Sequence, residues 1–242
     1  MIRLTRSIVP NSLTIANLFS GFVAIIYVAK DEYMLGALFV LLAAIFDMVD
    51  GITARLVQSA SEFGVQLDSL SDAVSFGVVP SFMLYKIYFY QFGDFGLVIS
   101  ALPLICGVLR LARFNVQTTA FQDKKFFNGL AIPASAFFII SYIIFYHRSD
   151  FFDSNTKQYL IFFVTILSSI LMVSTIKFYN APRPNIRYLK QYPIISSIFF
   201  LAIILSIATK GLFIFPFFIF YIVGSIIRHY YLKLFVKKNG KG

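Results

Sequence analysis

Four aspartates lie close together in a chain that has few acidic residues. Asp47 and Asp50 are three residues apart, and Asp68 and Asp72 are four residues apart. On a helix, either spacing puts both carboxylates of a pair on one face. Only 11 of the 242 residues are acidic, and a charged carboxylate within an apolar segment is costly unless it is paired, hydrated or functional. We therefore expect these four side chains to share one role.

The two pairs lie in consecutive apolar segments, which run antiparallel if both cross a membrane. Both pairs are near the connection at about residues 56 to 67, so all four carboxylates can converge there. Converging carboxylates repel one another, and a hard divalent cation that prefers oxygen ligands relieves this repulsion. The spacing therefore predicts a site for Mg²⁺ or Mn²⁺, and four such ligands could clamp two ions.

Small residues beside the acids leave space for a ligand. Gly51 and Ala54 follow the first pair, and Gly64 precedes the second pair at helical spacing. Without side-chain bulk, a ligand can approach the backbone at these positions. Arg55 adds a guanidinium group that suits a phosphate. Together these residues predict a site for metal and phosphate.

Two other interpretations use the same residues. In the first, the small residues only pack helices together, and the acids pair with arginines such as Arg55, Arg110 and Arg113. In the second, the chain is an ion-coupled transporter with carboxylates between its helices. A transporter would place acids near the middle of the membrane and broken helices in two related halves. The four aspartates instead cluster at one end of their segments, and the second half has no intramembrane acid.

The elements that would position these residues are long apolar helices. Hydrophobic residues make up 59% of the chain, above the roughly 45–50% of an ordinary soluble domain. Runs of about 20 apolar residues, enough to cross a bilayer, follow one another with short connections. The predicted spans are residues 12–29, 35–55, 68–91, 95–114, 131–147, 158–176, 193–209 and 211–228. The predicted fold is therefore an all-α, polytopic membrane bundle of about eight helices.

The basic residues predict the orientation of this bundle. With the N-terminus inside, sixteen of the 21 lysines and arginines fall on the cytoplasmic side and five on the other. This bias follows the positive-inside rule and places both termini in the cytoplasm. The site would then open to the cytoplasm at the inner face of the cell membrane. The net charge of +10 is spread over short loops, which favours anionic lipid over nucleic acid as its partner.

The chain is expected to form one membrane domain, residues 1–242. Residues 1–10 are predicted to form an amphipathic segment on the membrane surface that ends at Pro10, with a disordered tail as the alternative. Residues 193–228 are expected to form a helical hairpin, and residues 229–242 a basic tail. The single cysteine, Cys106, rules out an intramolecular disulfide.

The aspartate region resembles the signature of the CDP-alcohol phosphatidyltransferase family. Its pattern, D-x-x-D-G-x-x-A-R followed after eight residues by G-x-x-x-D-x-x-x-D, matches the family at every fixed position. The resemblance implies that the four aspartates bind two divalent metals that hold the pyrophosphate of a CDP-linked lipid. It also implies that Asp72 is the base that deprotonates the acceptor alcohol. The region from 12 to 180 would carry this activity.

The resemblance also implies which residues contact the CDP-lipid. Pro10 to Thr14 is similar to a Pro-Asn-x-x-Thr element that lies near the nucleotide in the family. The residues expected against the CDP-lipid are Asn11, Thr14, Gly51, Ala54, Arg55, Ser61 and Gly64. Family members are commonly homodimers, so a homodimer is expected.

Further segments resemble the bacterial and archaeal membrane-type branch of the family that takes L-serine as acceptor. They are ANLFSGF (16–22), DAVSFGVVPS (72–81), RLARFNV (110–116), FNGLAIPASA (127–136) and LMVSTIKFY (171–179). The implied substrates are CDP-diacylglycerol and L-serine, with glycerol 3-phosphate or inositol phosphate as the alternative acceptor. A serine carboxylate needs a cationic partner, for which Arg110, Arg113 and Lys177 are the candidates. Residues 110–116 and 171–179 therefore bear on the choice of acceptor.

Overall fold

The structure, a computed structural model, describes residues 2–56, 61–117, 126–179 and 193–239. These residues are mostly helical, as the sequence predicts. The helices are α1 (Ile2–Ala29), α2 (Tyr33–Leu56), α3 (Glu62–Asp72), α4 (Val79–Ile87), α5 (Gly93–Gln117), α6 (Ile132–Tyr142), α7 (Ser154–Val173), α8 (Pro193–Ala208) and α9 (Ile214–Asn239). Two short antiparallel strands, β1 (Phe126–Asn128) and β2 (Lys177–Tyr179), complete the fold.

Five of the helical segments are long and apolar enough to cross a membrane. They are Ile8–Ala29, Tyr33–Ala54, Phe89–Val116, Ser154–Val173 and Ile214–Leu234. A shorter apolar helical segment, Ile132–His147, overlaps the fifth predicted span. Many large apolar side chains point outward, among them Phe19, 64% exposed, and Ile207, 74% exposed. Such a surface suits lipid and not water.

The third predicted span is not one regular helix. Helix α3 ends at Asp72, a π-helical turn follows over Ala73–Val78, and α4 then begins at Val79. The helix also begins before the predicted span, because α3 starts at Glu62. Ser61 caps this helix by accepting a hydrogen bond from the backbone N–H of Gly64 at 3.0 Å. Isolated π-helical turns within helices are frequent at functional sites.

The two ends of the chain differ from their predictions. Pro10 lies inside α1 and does not end a separate segment, since one proline removes one backbone hydrogen bond without forcing the helix to stop. At the other end, α9 continues to Asn239, so most of the predicted basic tail is helical. The only proline in this stretch, Pro216, lies in the first turn of α9, where it is tolerated.

The helices pack around a common core that includes the last helix, α9. Helix α1 packs along α2, and α5 packs against α7. In the C-terminal region, Phe215 of α9 stacks on Phe138 of α6 with ring centroids 5.2 Å apart. Tyr221 of α9 also contacts Phe178 of β2 at 5.8 Å. The last helix is therefore part of the core and holds the β1–β2 pair in place.

Candidate active site

Three of the four aspartates form one compact cluster. Asp47 and Asp50 project from the C-terminal half of α2, and Asp68 projects from α3. One carboxylate oxygen from each of these residues lies within 4.8 Å of the others. Asp72 adjoins the cluster, because its carboxyl group interacts electrostatically with those of Asp47, Asp68 and Asp50. The structure thus brings Asp47, Asp50 and Asp68 together as the spacing predicts, and the metal-binding role of the four aspartates stays a prediction.

The donor set of this cluster fits a hard divalent cation. Its ligands are carboxylate oxygens, which Mg²⁺ and Mn²⁺ prefer. Within the described ranges, the one ion pair joins Lys86 to Asp31, far from the cluster. The packing interpretation would require ion pairs between arginines and these aspartates. No arginine side chain that the structure describes forms one. The side chain of Arg55 lies outside the described part of the structure.

Thr14 contacts the cluster directly. Its hydroxyl lies 2.7 Å from Oδ2 of Asp50, to which it can donate a hydrogen bond, and 3.1 Å from the carbonyl oxygen of Pro10. Both side chains are buried. Thr14 therefore orients an aspartate of the cluster, in addition to any contact with a nucleotide. Such hydrogen bonds between a ligand carboxylate and a neighbouring side chain fix ligand geometry.

The other residues expected against the CDP-lipid border the same region. A Cβ atom added to Gly64 would lie 3.2 Å from the Ser61 hydroxyl and 3.5 Å from Oδ1 of Asn11, so these three residues meet. A Cβ added to Gly51 would meet no atom of the described residues within 4 Å, so packing against these residues does not require glycine there. Ala54 is half-buried on the same helix. The part of the chain that the structure describes thus leaves space for a ligand at Gly51, on the helix that carries Asp47 and Asp50.

The three candidate partners for a serine carboxylate have different surroundings. Arg113 is fully engaged by the backbone. Its guanidinium donates to the carbonyl oxygens of Asn128 at 3.1 Å and Val173 at 2.9 Å, and also to those of Met172 and Ser174, both at 3.3 Å. Gly129 has a φ of 82°, which favours glycine and lets the chain turn beside this guanidinium. Arg113 therefore ties the end of α7 to β1.

Arg110 lies one turn earlier on α5 and is the better placed candidate. Its side chain is 8% exposed, and its Nε has no hydrogen-bond partner among the described residues. It also interacts electrostatically with Asp72. Lys177 belongs to β2, where its backbone N–H donates to His229 and its carbonyl accepts from Arg228. The backbone of Lys177 therefore anchors α9, whereas Arg110 keeps an unpaired donor near Asp72.

Two asparagines close to the site received no role from the sequence alone. Asn17 is fully buried on α1, and its Nδ2 donates to Oδ1 of Asp72 at 3.3 Å. Asn115 of α5 donates to the Ser69 hydroxyl on α3 at 2.9 Å. Both occur in segments that resemble the serine-accepting branch. The available signal was an amide side chain within or at the end of an apolar span, where an unpaired amide is costly.

The apolar helical exterior is typical of a membrane protein, and the carboxylate cluster between α2 and α3 is typical of a site for divalent metal. Comparison with known families then identifies the chain. The family model described as CDP-alcohol phosphatidyltransferase matches residues 7–179, and the chain belongs to this family. The resemblance of the aspartate signature is thereby confirmed.

Several curated relatives cover most of the chain. A protein named CDP-diacylglycerol–serine O-phosphatidyltransferase from Helicobacter pylori is 36% identical over 171 residues, 71% of each chain. An archaetidylserine synthase from Methanothermobacter thermautotrophicus is 33% identical over 171 residues, 70% of this chain and 68% of its own. A Bacillus subtilis protein with the same name as the Helicobacter one is 31% identical over 170 residues, 70% of this chain and 89% of its own.

Proposed function

We propose that this protein transfers the phosphatidyl group of CDP-diacylglycerol to the hydroxyl of L-serine and releases CMP. The observation that carries the proposal is the convergence of Asp47, Asp50 and Asp68, with which Asp72 interacts electrostatically. The names of the relatives support serine as the acceptor. The product would be phosphatidylserine, a phospholipid.

The four aspartates would hold divalent metal, two ions of Mg²⁺ or Mn²⁺. When bound, this metal would neutralise charge on the pyrophosphate and make CMP a better leaving group. Thr14 would keep the Asp50 carboxylate in position. The residues that bind the CDP-lipid would be Asn11, Thr14, Gly51, Ala54, Arg55, Ser61 and Gly64.

Asp72 would act as the general base. Its carboxylate takes the proton of the serine hydroxyl, and the serine oxygen forms a bond to the phosphorus of the phosphatidyl group. The bond between that phosphorus and the CMP oxygen breaks, and CMP leaves with the electron pair. Asn17 holds the Asp72 carboxylate by a hydrogen bond. Arg110 is the best placed of the three cations to receive the serine carboxylate, because Arg113 is already engaged.

The proposed setting is the inner membrane of the cell, crossed eight times, with both termini and the site on the cytoplasmic side. The distribution of lysine and arginine supports this orientation. A homodimer is proposed from the family resemblance. On this arrangement, CDP-diacylglycerol reaches the site from the inner leaflet, and serine reaches it from the cytoplasm.

The direct test measures CMP release by the purified protein in mixed micelles of detergent and CDP-diacylglycerol. We expect release that requires both L-serine and Mg²⁺ or Mn²⁺. Glycerol 3-phosphate and inositol phosphate serve as the competing acceptors. CMP release with either of these and not with serine would show that the acceptor is wrong. Serine flux into proteoliposomes without CMP release would instead support a transporter.

A further inference from the structure

The contact between α1 and the π-helical turn sets the surroundings of Asp72. A Cβ atom on Gly21 would collide with the side chain and backbone of Ser75, so glycine allows the two elements to approach closely. The Ser75 hydroxyl, fully buried, donates to the carbonyl oxygen of Asn17 at 3.1 Å. One turn before Gly21, the Asn17 side chain therefore faces Asp72, the last residue of α3.

Only one of the two polar atoms of the Asn17 amide has a hydrogen-bond partner among the described residues. Its Nδ2 donates to Oδ1 of Asp72 at 3.3 Å, while its Oδ1, although fully buried, has no partner among the described residues. An amide of this kind can accept hydrogen bonds through its oxygen. Because the two atoms share one carbon, Oδ1 lies within about 6 Å of the Asp72 carboxylate. Buried acceptors are rarely left unpaired, which points to a ligand donor.

A second buried group near Asp72 is also unpaired, and its chemistry is complementary. Arg110 on α5 offers a donor at Nε that has no partner in the described ranges, and its charge interacts with Asp72. The base thus interacts with two buried side chains that keep an unpaired atom among the described residues, Asn17 with an acceptor and Arg110 with a cationic donor. A molecule with an ammonium group, a carboxylate and a hydroxyl on adjacent carbons would satisfy all three residues.

We infer that Asn17 is a substrate-binding residue whose Oδ1 accepts a hydrogen bond from the ammonium group of the acceptor amino acid. At the same time, its Nδ2 positions the Asp72 carboxylate at the hydroxyl that reacts. In serine, the amino nitrogen and the hydroxyl oxygen are separated by roughly 3–4 Å, a span that fits the distance between Oδ1 of Asn17 and Asp72. This inference rests on the proposed function and explains how an acceptor that carries an amine is selected.

The test compares L-serine with 3-hydroxypropionate, which has the same hydroxyl and carboxylate but no amine. Asn17→Leu removes both polar atoms, so we expect the KM for serine to rise by about tenfold or more. The preference for serine over 3-hydroxypropionate, as a ratio of kcat/KM, should fall by about the same factor. A mutation that only destabilises the fold would lower kcat/KM for both substrates by the same factor and leave this ratio unchanged.

Asn17→Asp separates the two roles of the side chain. It keeps an acceptor for the ammonium group but loses the N–H that binds Asp72, so kcat should fall by about tenfold while the preference for serine remains. Ser20→Ala is the matched control on the same helix, since Ser20 is buried and, within the described ranges, its hydroxyl binds only the carbonyl of Ala16. We expect this control to keep both kcat and the substrate preference.

A binding measurement covers the case in which Asn17→Leu has no measurable turnover. Thermal stabilisation of the purified protein by L-serine, with CMP and Mn²⁺ present, should be larger than that by 3-hydroxypropionate in the unmutated protein and in Asn17→Asp. In Asn17→Leu, the two compounds should raise the melting temperature equally. If Asn17→Leu keeps its preference for serine, the inference is wrong and the proposed function stands. If the unmutated protein releases no CMP with serine, the proposed function itself fails.

Discussion

Acidic residues lie near both ends of α2, and their surroundings differ: one is paired with a cation, and the others face one another. At its N-terminal end, Asp31 forms an ion pair with Lys86 at 3.2 Å and accepts a hydrogen bond from Tyr33 at 2.8 Å. The guanidinium of Arg148 lies over the Tyr33 ring at 5.1 Å. About 20 Å further along the helix, Asp47 and Asp50 face Asp68, with no ion pair in the described ranges.

The difference separates a structural acid from a functional one. The hydrogen bond from Tyr33, together with Lys86, holds the pKa of Asp31 below its ordinary value, so this group stays charged and its local partners are complete. The carboxylates of the other cluster accept hydrogen bonds from Thr14 and Asn17, but no lysine or arginine among the described residues forms an ion pair with them, and their donor set fits a divalent cation. Clusters of like charge are retained where function requires them. Four mutational comparisons test this contrast, beginning with the largest expected effect.

Asp72→Asn should reduce CMP release by about 10³-fold or more, because the amide cannot accept the serine proton. The mutation removes one charge from a crowded group of acids, so the melting temperature should not fall. The measurements are serine-dependent CMP release and thermal denaturation in detergent. Asp31→Asn serves as the control and should remain active. Activity of Asp72→Asn within a few-fold of the unmutated protein would exclude Asp72 as the base.

Removal of divalent metal should abolish CMP release, and addition of Mg²⁺ or Mn²⁺ should restore it. Metal should also raise the melting temperature, because it binds only the folded cluster. Asp47→Asn should lose most of this rise, while its melting temperature without metal should increase because one repelling charge is gone. An equal metal-induced rise in Asp47→Asn would show that the cluster is not the metal site.

Arg110→Gln and Arg113→Gln form a matched pair on one helix. Arg113→Gln should lower the free energy of unfolding by about 2–4 kcal/mol, because several charged hydrogen bonds to carbonyl groups are lost. Arg110→Gln should leave stability nearly unchanged and raise the KM for serine by roughly tenfold. Thermal denaturation and steady-state kinetics distinguish these outcomes. If Arg113→Gln keeps its stability and shows a raised KM for serine, then Arg113 and not Arg110 binds the serine carboxylate.

Asp31→Asn should have the smallest effect. Exposed ion pairs contribute little to stability, and this one lies far from the site, so CMP release should remain within about twofold of the unmutated rate. The pKa of Asp31 is lowered, so its contribution to stability is present above the ordinary aspartate pKa. It is lost as the pH falls through the lowered value. Stability of Asp31→Asn should therefore converge with that of the unmutated protein at low pH, as thermal melts would measure.

Local spacing made the aspartate cluster predictable. Positions 47, 50, 68 and 72 occupy helix faces that follow from the helical repeat, and consecutive spans bring those faces together. The broken third span was not predictable in the same way. The apolar pattern from residue 68 continues through the π-helical turn, and hydropathy does not reveal a one-residue change in hydrogen bonding. Ser61 was likewise expected at the CDP-lipid, and its capping role emerged only with the start of α3.

Contacts between distant residues decided the roles of the remaining polar side chains. Arg110 and Arg113 look equivalent in the sequence, three residues apart on one helix. Arg113 donates to backbone carbonyls of residues 172–174 and 128, while Nε of Arg110 has no partner among the described residues. No local pattern distinguishes the two, because the carbonyl groups that bind Arg113 lie 15 to 61 residues away in the chain.

The sequence by itself determined the membrane-type helical composition, the family signature and the convergence of four carboxylates. These properties depend on hydrophobicity and helical periodicity, which act over a few turns. Only the tertiary structure decided that Asn17 faces Asp72, that Thr14 contacts Asp50, and that α9 belongs to the core. Each of these depends on how closely separate helices approach, and that distance is set by side-chain packing across the whole bundle.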